Sequence, residues 1–95
     1  MRQVTQFYRA HGTIVAYRVH PSNEYVIVLS HTGYYYIFNI ADGDMRGKVT
    51  VERECLNLQV DNSGLYLAIH TPRQTLQVYE VGTGKKVYEF KPDFD

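Results

Sequence analysis

The chain repeats itself, and the period of the repeat restricts its fold more than any other feature. Residues 19–43 lie over residues 60–84 without a gap, an offset of 41 positions. Val19/Val60, Ser22/Ser63, Tyr25/Tyr66 and Gly43/Gly84 are identical pairs. Val26/Leu67, Val28/Ile69, Ser30/Thr71, Tyr35/Leu76, Ile37/Val78, Phe38/Tyr79 and Ile40/Val81 keep their character. Apolar and turn positions thus stay in phase along the whole stretch. A period of about 40–45 residues that holds several short strands marks a propeller blade.

Within each unit, apolar and polar residues alternate at the two-residue spacing of a strand. The pattern predicts strands at 4–8, 14–19, 25–30, 34–40 and 46–51, then at 55–60, 66–70, 75–81 and 86–90. Between them stand turn residues such as His20-Pro21-Ser22-Asn23, Ala41-Asp42-Gly43-Asp44 and Asp61-Asn62-Ser63-Gly64, which tolerate or pre-set the dihedrals of a reversal. No segment keeps a 3.6-residue period, so no helix is expected. The nine tyrosines agree with strands, which favour aromatic and β-branched residues. In the first strand of each unit, Val15/Leu56, Tyr17/Leu58 and Val19/Val60 form an apolar set, and the opposite positions are smaller or more polar. The second strand is apolar on both faces, as in a sheet packed between neighbouring sheets.

Composition narrows the function. Ten basic residues balance ten acidic ones, so no global field draws the chain to nucleic acid or anionic membrane. The single cysteine, Cys55, excludes an internal disulfide and fits a reducing compartment. No apolar run approaches the roughly 20 residues of a membrane helix, and the opening residues carry no apolar signal-peptide core.

Each unit resembles a WD40 repeat. Phe38-Asn39 and Tyr79-Glu80 stand where that family has Trp-Asp, followed by Ala-Asp-Gly and Gly-Thr-Gly turns. The repeats are degenerate. Trp is absent, Thr32 and Arg73 replace the Asp before the third strand, His11 sits in a permuted Gly-His context, and Glu52 takes the His position in the second unit. The family's buried His–Ser/Thr–Asp–Trp network is therefore not expected in complete form. The resemblance implies an all-β fold of two four-stranded antiparallel blades. Residues 1–10 would supply the outer strand of a preceding blade, residues 11–51 the first blade and residues 52–95 the second.

Two blades are too few for a ring, since propellers close with about 4–8. Either the chain is part of a larger propeller, or several copies complete one. An opening strand at 4–8 would compete with the strand at 86–90 for one edge, which favours the larger propeller. The resemblance further implies a non-enzymatic scaffold or adaptor for protein–protein interaction, at work in the cytoplasm or on the cytoskeleton. Its partners would be other proteins or further blades of the parent chain, with no membrane, nucleic acid or small-molecule substrate. The alternative is a small stand-alone β-domain that binds single-stranded RNA through surface tyrosines.

Specific chemistry finds little support. His11, His20, His31 and His70 are scattered, and Cys55 has no Cys partner, so no metal site is expected. Glu52 and Glu54 beside Cys55 would raise its thiol pKa, which suits a packed residue and not a nucleophile. Asp42 and Asp44 share a turn but lack the further oxygen ligands of a calcium loop. Of Tyr34-Tyr35-Tyr36 only Tyr34 and Tyr36 share a strand face, where a propeller would cover them. No catalytic residue and no cofactor is assigned. Arg9, Arg53, Arg73 and Gln74 fall on or beside the loops that join outer to inner strands and second to third strands. Those loops form the usual partner-binding face in the family, loops on a rigid scaffold concentrate binding residues, and Arg is favoured at interface hot spots. These four are the candidate partner-binding residues.

Overall fold

The structure, a computed structural model, describes residues 13–92. The expected strand at 4–8, together with Arg9 and His11, lies outside the described residues.

Eight strands follow one another: β1 (Ile14–Val19), β2 (Tyr25–Ser30), β3 (Tyr34–Asn39), β4 (Met45–Thr50), β5 (Asn57–Val60), β6 (Tyr66–His70), β7 (Leu76–Glu80) and β8 (Lys86–Phe90). They form two four-stranded antiparallel sheets, ordered β1-β2-β3-β4 and β5-β6-β7-β8. These are the two blades the repeat implied. The boundaries agree with the sequence reading to within two residues. The largest difference is at β5, which begins at Asn57, where residue 55 was expected. Cys55 is instead tucked into the core ahead of the strand, and its thiol donates to the Glu52 carbonyl at 3.2 Å.

The 41-residue period governs the backbone as well as the side chains. The His20 N–H bonds to the Tyr25 carbonyl and the Asp61 N–H to that of Tyr66. The Asn39 N–H reaches Asp44 and the Glu80 N–H reaches Lys85, while Ile40 reaches Glu24 and Val81 reaches Leu65. Both sheets carry a bulge at the same place, between Ile37 and Phe38 and between Val78 and Tyr79. Left-handed residues recur in register too. Asn23 at φ 62° answers Gly64 at 76°, and Gln74 at 63° answers Gly33 at 105°. Asn tolerates that region and Gly enters it freely, but Gln does so only under strain.

The main core lies between the sheets. Ile27, Leu29 and Tyr35 from the first blade meet Leu58, Leu67, Ile69 and Tyr79 from the second. The Tyr35 and Tyr79 rings pack edge to face at 5.5 Å. A second cluster, Val26, Val28, Tyr36 and Phe38, occupies the opposite face of the first blade. β2 is thus buried on both sides, as its continuous apolar run required. The apolar set of the first strands behaves unevenly. Leu58 is fully buried, whereas its repeat mate Tyr17 is 48% exposed and Leu56 is also exposed. Leu58 faces another sheet, and no described sheet lies against Tyr17.

A second seam closes the opposite end of the interface. His20 Nδ1 accepts from the Ser22 N–H at 3.1 Å. Nε2 therefore carries the proton and donates to the Gly64 carbonyl at 2.8 Å, which ties the β1–β2 turn to the β5–β6 turn.

Candidate functional site

The connection between the blades, residues 51–56, runs between the two hairpin turns at one end of the molecule. On one side the Val51 N–H bonds to the Gly33 carbonyl and the Glu54 N–H to that of His31. A Cβ built on Gly33 would stand 3.1 Å from Arg53 Cγ, so the Arg53 stem lies along the β2–β3 turn. On the other side Glu52 reaches the β6–β7 turn. Arg73 Nε donates to Glu52 Oε1 at 3.0 Å, and a second guanidinium nitrogen donates to Glu52 Oε2. Such a two-pronged pair fixes orientation as well as distance.

Glu52 gathers more than Arg73. Gln77 Nε2 donates to Glu52 Oε2 at 3.1 Å, and the Tyr79 hydroxyl donates to Gln77 Oε1 at 3.0 Å. Arg73 also meets Glu89 at 3.3 Å, and Lys86 donates to Glu89 at 2.8 Å. A continuous chain therefore runs from Tyr79 in the core through Gln77, Glu52 and Arg73 to the surface. In the second blade this chain of bonds occupies the place where the WD40 resemblance would put a His–Ser/Thr–Asp–Trp network. The connecting loop supplies the anion and the hairpin turn supplies the cation, the reverse of a His–Asp pair.

The electrostatics follow. The Arg73 hydrogen bond, against some loss of solvation and with help from the guanidinium charge, holds the Glu52 carboxyl below its ordinary range. Lys86 does the same for Glu89. Hydrogen bonding to Glu52 raises Arg73 further above its already high value. Burial pushes the Cys55 thiol up to about 11, and the Glu52 charge adds to it. Cys55 is therefore a protonated, packed residue, as its acidic neighbours suggested.

Of the four residues singled out by sequence, three lie in this region. Arg53 follows Glu52 along the loop, Arg73 pairs with Glu52 from the β6–β7 turn, and Gln74 follows Arg73 in that turn. They differ in character. Arg73 is committed to Glu52 and Glu89. Arg53 is exposed and has no hydrogen bond or ion pair among the described residues. Gln74 is exposed, its N–H bonds to the Thr71 carbonyl, and its backbone is left-handed where the first blade has glycine. Glu52, Gln77 and Glu89 were not among the candidates. Glu52 at the His position was the available signal, because a carboxylate there calls for a cation nearby.

Tyr35 and Tyr36 are buried on opposite faces and Tyr34 is half-buried under Lys48, whose ammonium stands 4.5 Å from the ring centre. The triple-tyrosine run is thus largely taken up in packing.

Comparison with known proteins bears on the fold. No protein-family model matches the chain, and no curated protein does. Solved structures do match. The RRP9 WD40 repeats superpose with a TM-score of 0.82 at 16% identity, over 92% of this chain and 28% of that one. Hsv2 of Kluyvelomyces marxianus gives 0.72 at 20% identity, over 86% and 30%. Hydrazine synthase of Kuenenia stuttgartiensis gives 0.77 at 12% identity, over 86% and 24%. The fold is that of two adjacent WD40-type propeller blades. The chain spans at most about three tenths of the length of these structures.

Proposed function

We propose that these blades belong to a larger WD40-type propeller that works as a non-enzymatic scaffold for protein–protein interaction. Its binding face is the end formed by residues 51–56 and the two hairpin turns. The observation that carries this reading is the Glu52 bridge. It draws the connecting loop and the β6–β7 turn into one rigid surface and leaves Arg53 and Gln74 presented on it. A preorganised face loses little freedom on binding, and an unpaired Arg is a favoured anchor. The strain at Gln74 adds support, since glycine would fill that turn at lower cost. By analogy with scaffolds of this architecture, the protein acts in the cytoplasm or on the cytoskeleton.

The test combines binding with stability. In the natural full-length protein, Arg53→Ala and Gln74→Gly should each weaken capture of the native partner roughly ten-fold, the scale of one interface anchor. Gln74→Gly should at the same time raise stability by about 0.5–1 kcal/mol, because it relieves the left-handed residue. Retained capture in both variants, with the fold intact by circular dichroism, overturns the assignment of this face.

A further inference from the structure

At the end of the molecule opposite Glu52, a groove runs along the junction of the two blades. One wall is formed by β3 and β4 of the first blade and the other by the β7–β8 turn of the second. Two cavities of about 420 and 190 Å³ make up its length, and they share Ile37, Arg46, Val81 and Gly82. Both ends are held. At one, His20 is bonded to the Gly64 carbonyl. At the other, the turn lies so close to the first blade that a Cβ on Gly84 would stand 2.9 Å from Val49 Cγ2. The two walls are thus fixed relative to each other before anything binds.

The shape of the groove follows from the repeat, but its charge does not. Offset by 41 residues, the second blade keeps Tyr66 and Val78 for Tyr25 and Ile37, yet it has Asp61 for His20, Val87 for Arg46 and Glu89 for Lys48. Strand register gives the same match, because Gly47 pairs with Ile37 and Tyr88 with Val78, each beside a bulge. The positive charge is therefore particular to this junction. Arg46 meets only Asp42, at 4.0 Å, and the two side chains are 54% and 50% exposed. An exposed pair that loose contributes little. Lys48 adds charge from the rim, its ammonium resting over the Tyr34 ring. The backbone differs as well. In the first blade the Ala41 N–H is capped by Asn39 Oδ1 at 2.9 Å. In the second, Glu80 replaces Asn39 and takes the Thr83 hydroxyl at 2.7 Å. The Gly82 N–H is left without a partner among the described residues.

We propose that this groove binds an extended segment of a partner protein, with an acidic side chain on Arg46 and an apolar one beside it on Ile37 and Val81. A carboxylate matches the fork of the guanidinium. A compact small molecule needs most of its surface enclosed, whereas this groove is long and open to solvent. An extended chain also carries carbonyls that can accept from the Gly82 N–H. Walls held at both ends reduce the freedom lost on binding. Both walls belong to the described blades, so the site does not depend on further blades. It also lies at the opposite end from Arg53 and Gln74, so its failure leaves that face standing, and the reverse.

Gly82 supplies the test. A Cβ there meets no atom within 4 Å, its φ is not positive, and its repeat mate is alanine. Gly82→Phe should therefore fill the groove and keep the fold, which circular dichroism checks. A displayed library of random linear peptides is panned against the natural full-length protein and against Gly82→Phe in parallel. The expected peptides bind the natural protein alone and share an acidic residue next to an apolar one. The best of them, followed by fluorescence anisotropy, should bind Arg46→Gln about ten-fold more weakly and lose affinity as salt is added. Arg46 is exposed, so this second variant supplies its own discrimination. The proposal is overturned when no peptide distinguishes the natural protein from Gly82→Phe, when those that do lack an acidic residue, or when Arg46→Gln binds at full strength. Sedimentation with phosphatidylserine vesicles completes the test. Vesicle binding that Arg46→Gln abolishes, with no peptide selected, would assign the cation to a membrane surface and overturn the proposal too.

Discussion

Tyr35 is the residue where this core is least satisfied. Its ring is fully buried against Tyr79, yet its hydroxyl has no hydrogen-bond partner among the described residues. Burial raises its pKa well above the usual tyrosine value, and Tyr79 adds to the rise, so it stays protonated. An orphaned buried hydroxyl costs about 1–3 kcal/mol, and its removal with the shape kept recovers much of that. Tyr35→Phe should therefore stabilise the protein by roughly 1 kcal/mol, read as a higher urea midpoint with an unchanged slope. Glu52 behaves oppositely. Its pKa is lowered in the folded state, chiefly by Arg73. Its contribution to stability is thus present above the unfolded-state value, near 4.3 for Glu, and is lost as pH falls through the lower folded value. Glu52→Gln should cost up to about 1 kcal/mol at pH 7, a partly exposed network being screened by solvent. The difference from the parent protein should shrink towards pH 3. A gap that stays constant with pH would assign the loss to packing. Little of this was legible beforehand. The resemblance to a WD40 repeat flagged Glu52 as a departure, but its engagement with Arg73, Gln77 and Glu89 depends on how two loops meet in space.

At the scale of strands and turns the sequence was far more explicit. Every strand from β1 to β8 was bounded to within two residues, because period-two alternation and turn residues act locally. The uneven burial of Tyr17 and Leu58 was not legible, since identical patterning in both repeats cannot say which of them has a neighbour. Turns carry the contact between elements. Gly84 closes the β7–β8 turn at φ +74°, and a Cβ there would stand 2.9 Å from Val49 Cγ2 in the first blade. Gly84→Ala combines a left-handed alanine with a clash across the interface, so it should destabilise by about 1–3 kcal/mol. Gly82 has no atom within 4 Å of the same construction and no positive φ. Gly82→Ala should stay within about 0.5 kcal/mol. Thermal melts of the two variants side by side make the comparison, and equal effects would mean that the β7–β8 turn does not touch the first blade.

For the molecule as a whole, the architecture was readable because one unit was written twice, and comparison of the two copies separates shared design from local accident. The proposed binding face was readable only as a set of loops. What joins them is a network of residues that no propeller pattern would assign. If these are two neighbouring blades of a larger propeller, as proposed, an outward face of aromatic and aliphatic side chains is left open in the 95-residue chain. Such a face drives association in water. The direct measurement is the mass of the 95-residue chain by light scattering after size exclusion, at two concentrations about ten-fold apart. The expected mass rises with concentration without settling on one stoichiometry. A compact, monodisperse monomer at both concentrations, or a single closed multimer, would contradict it.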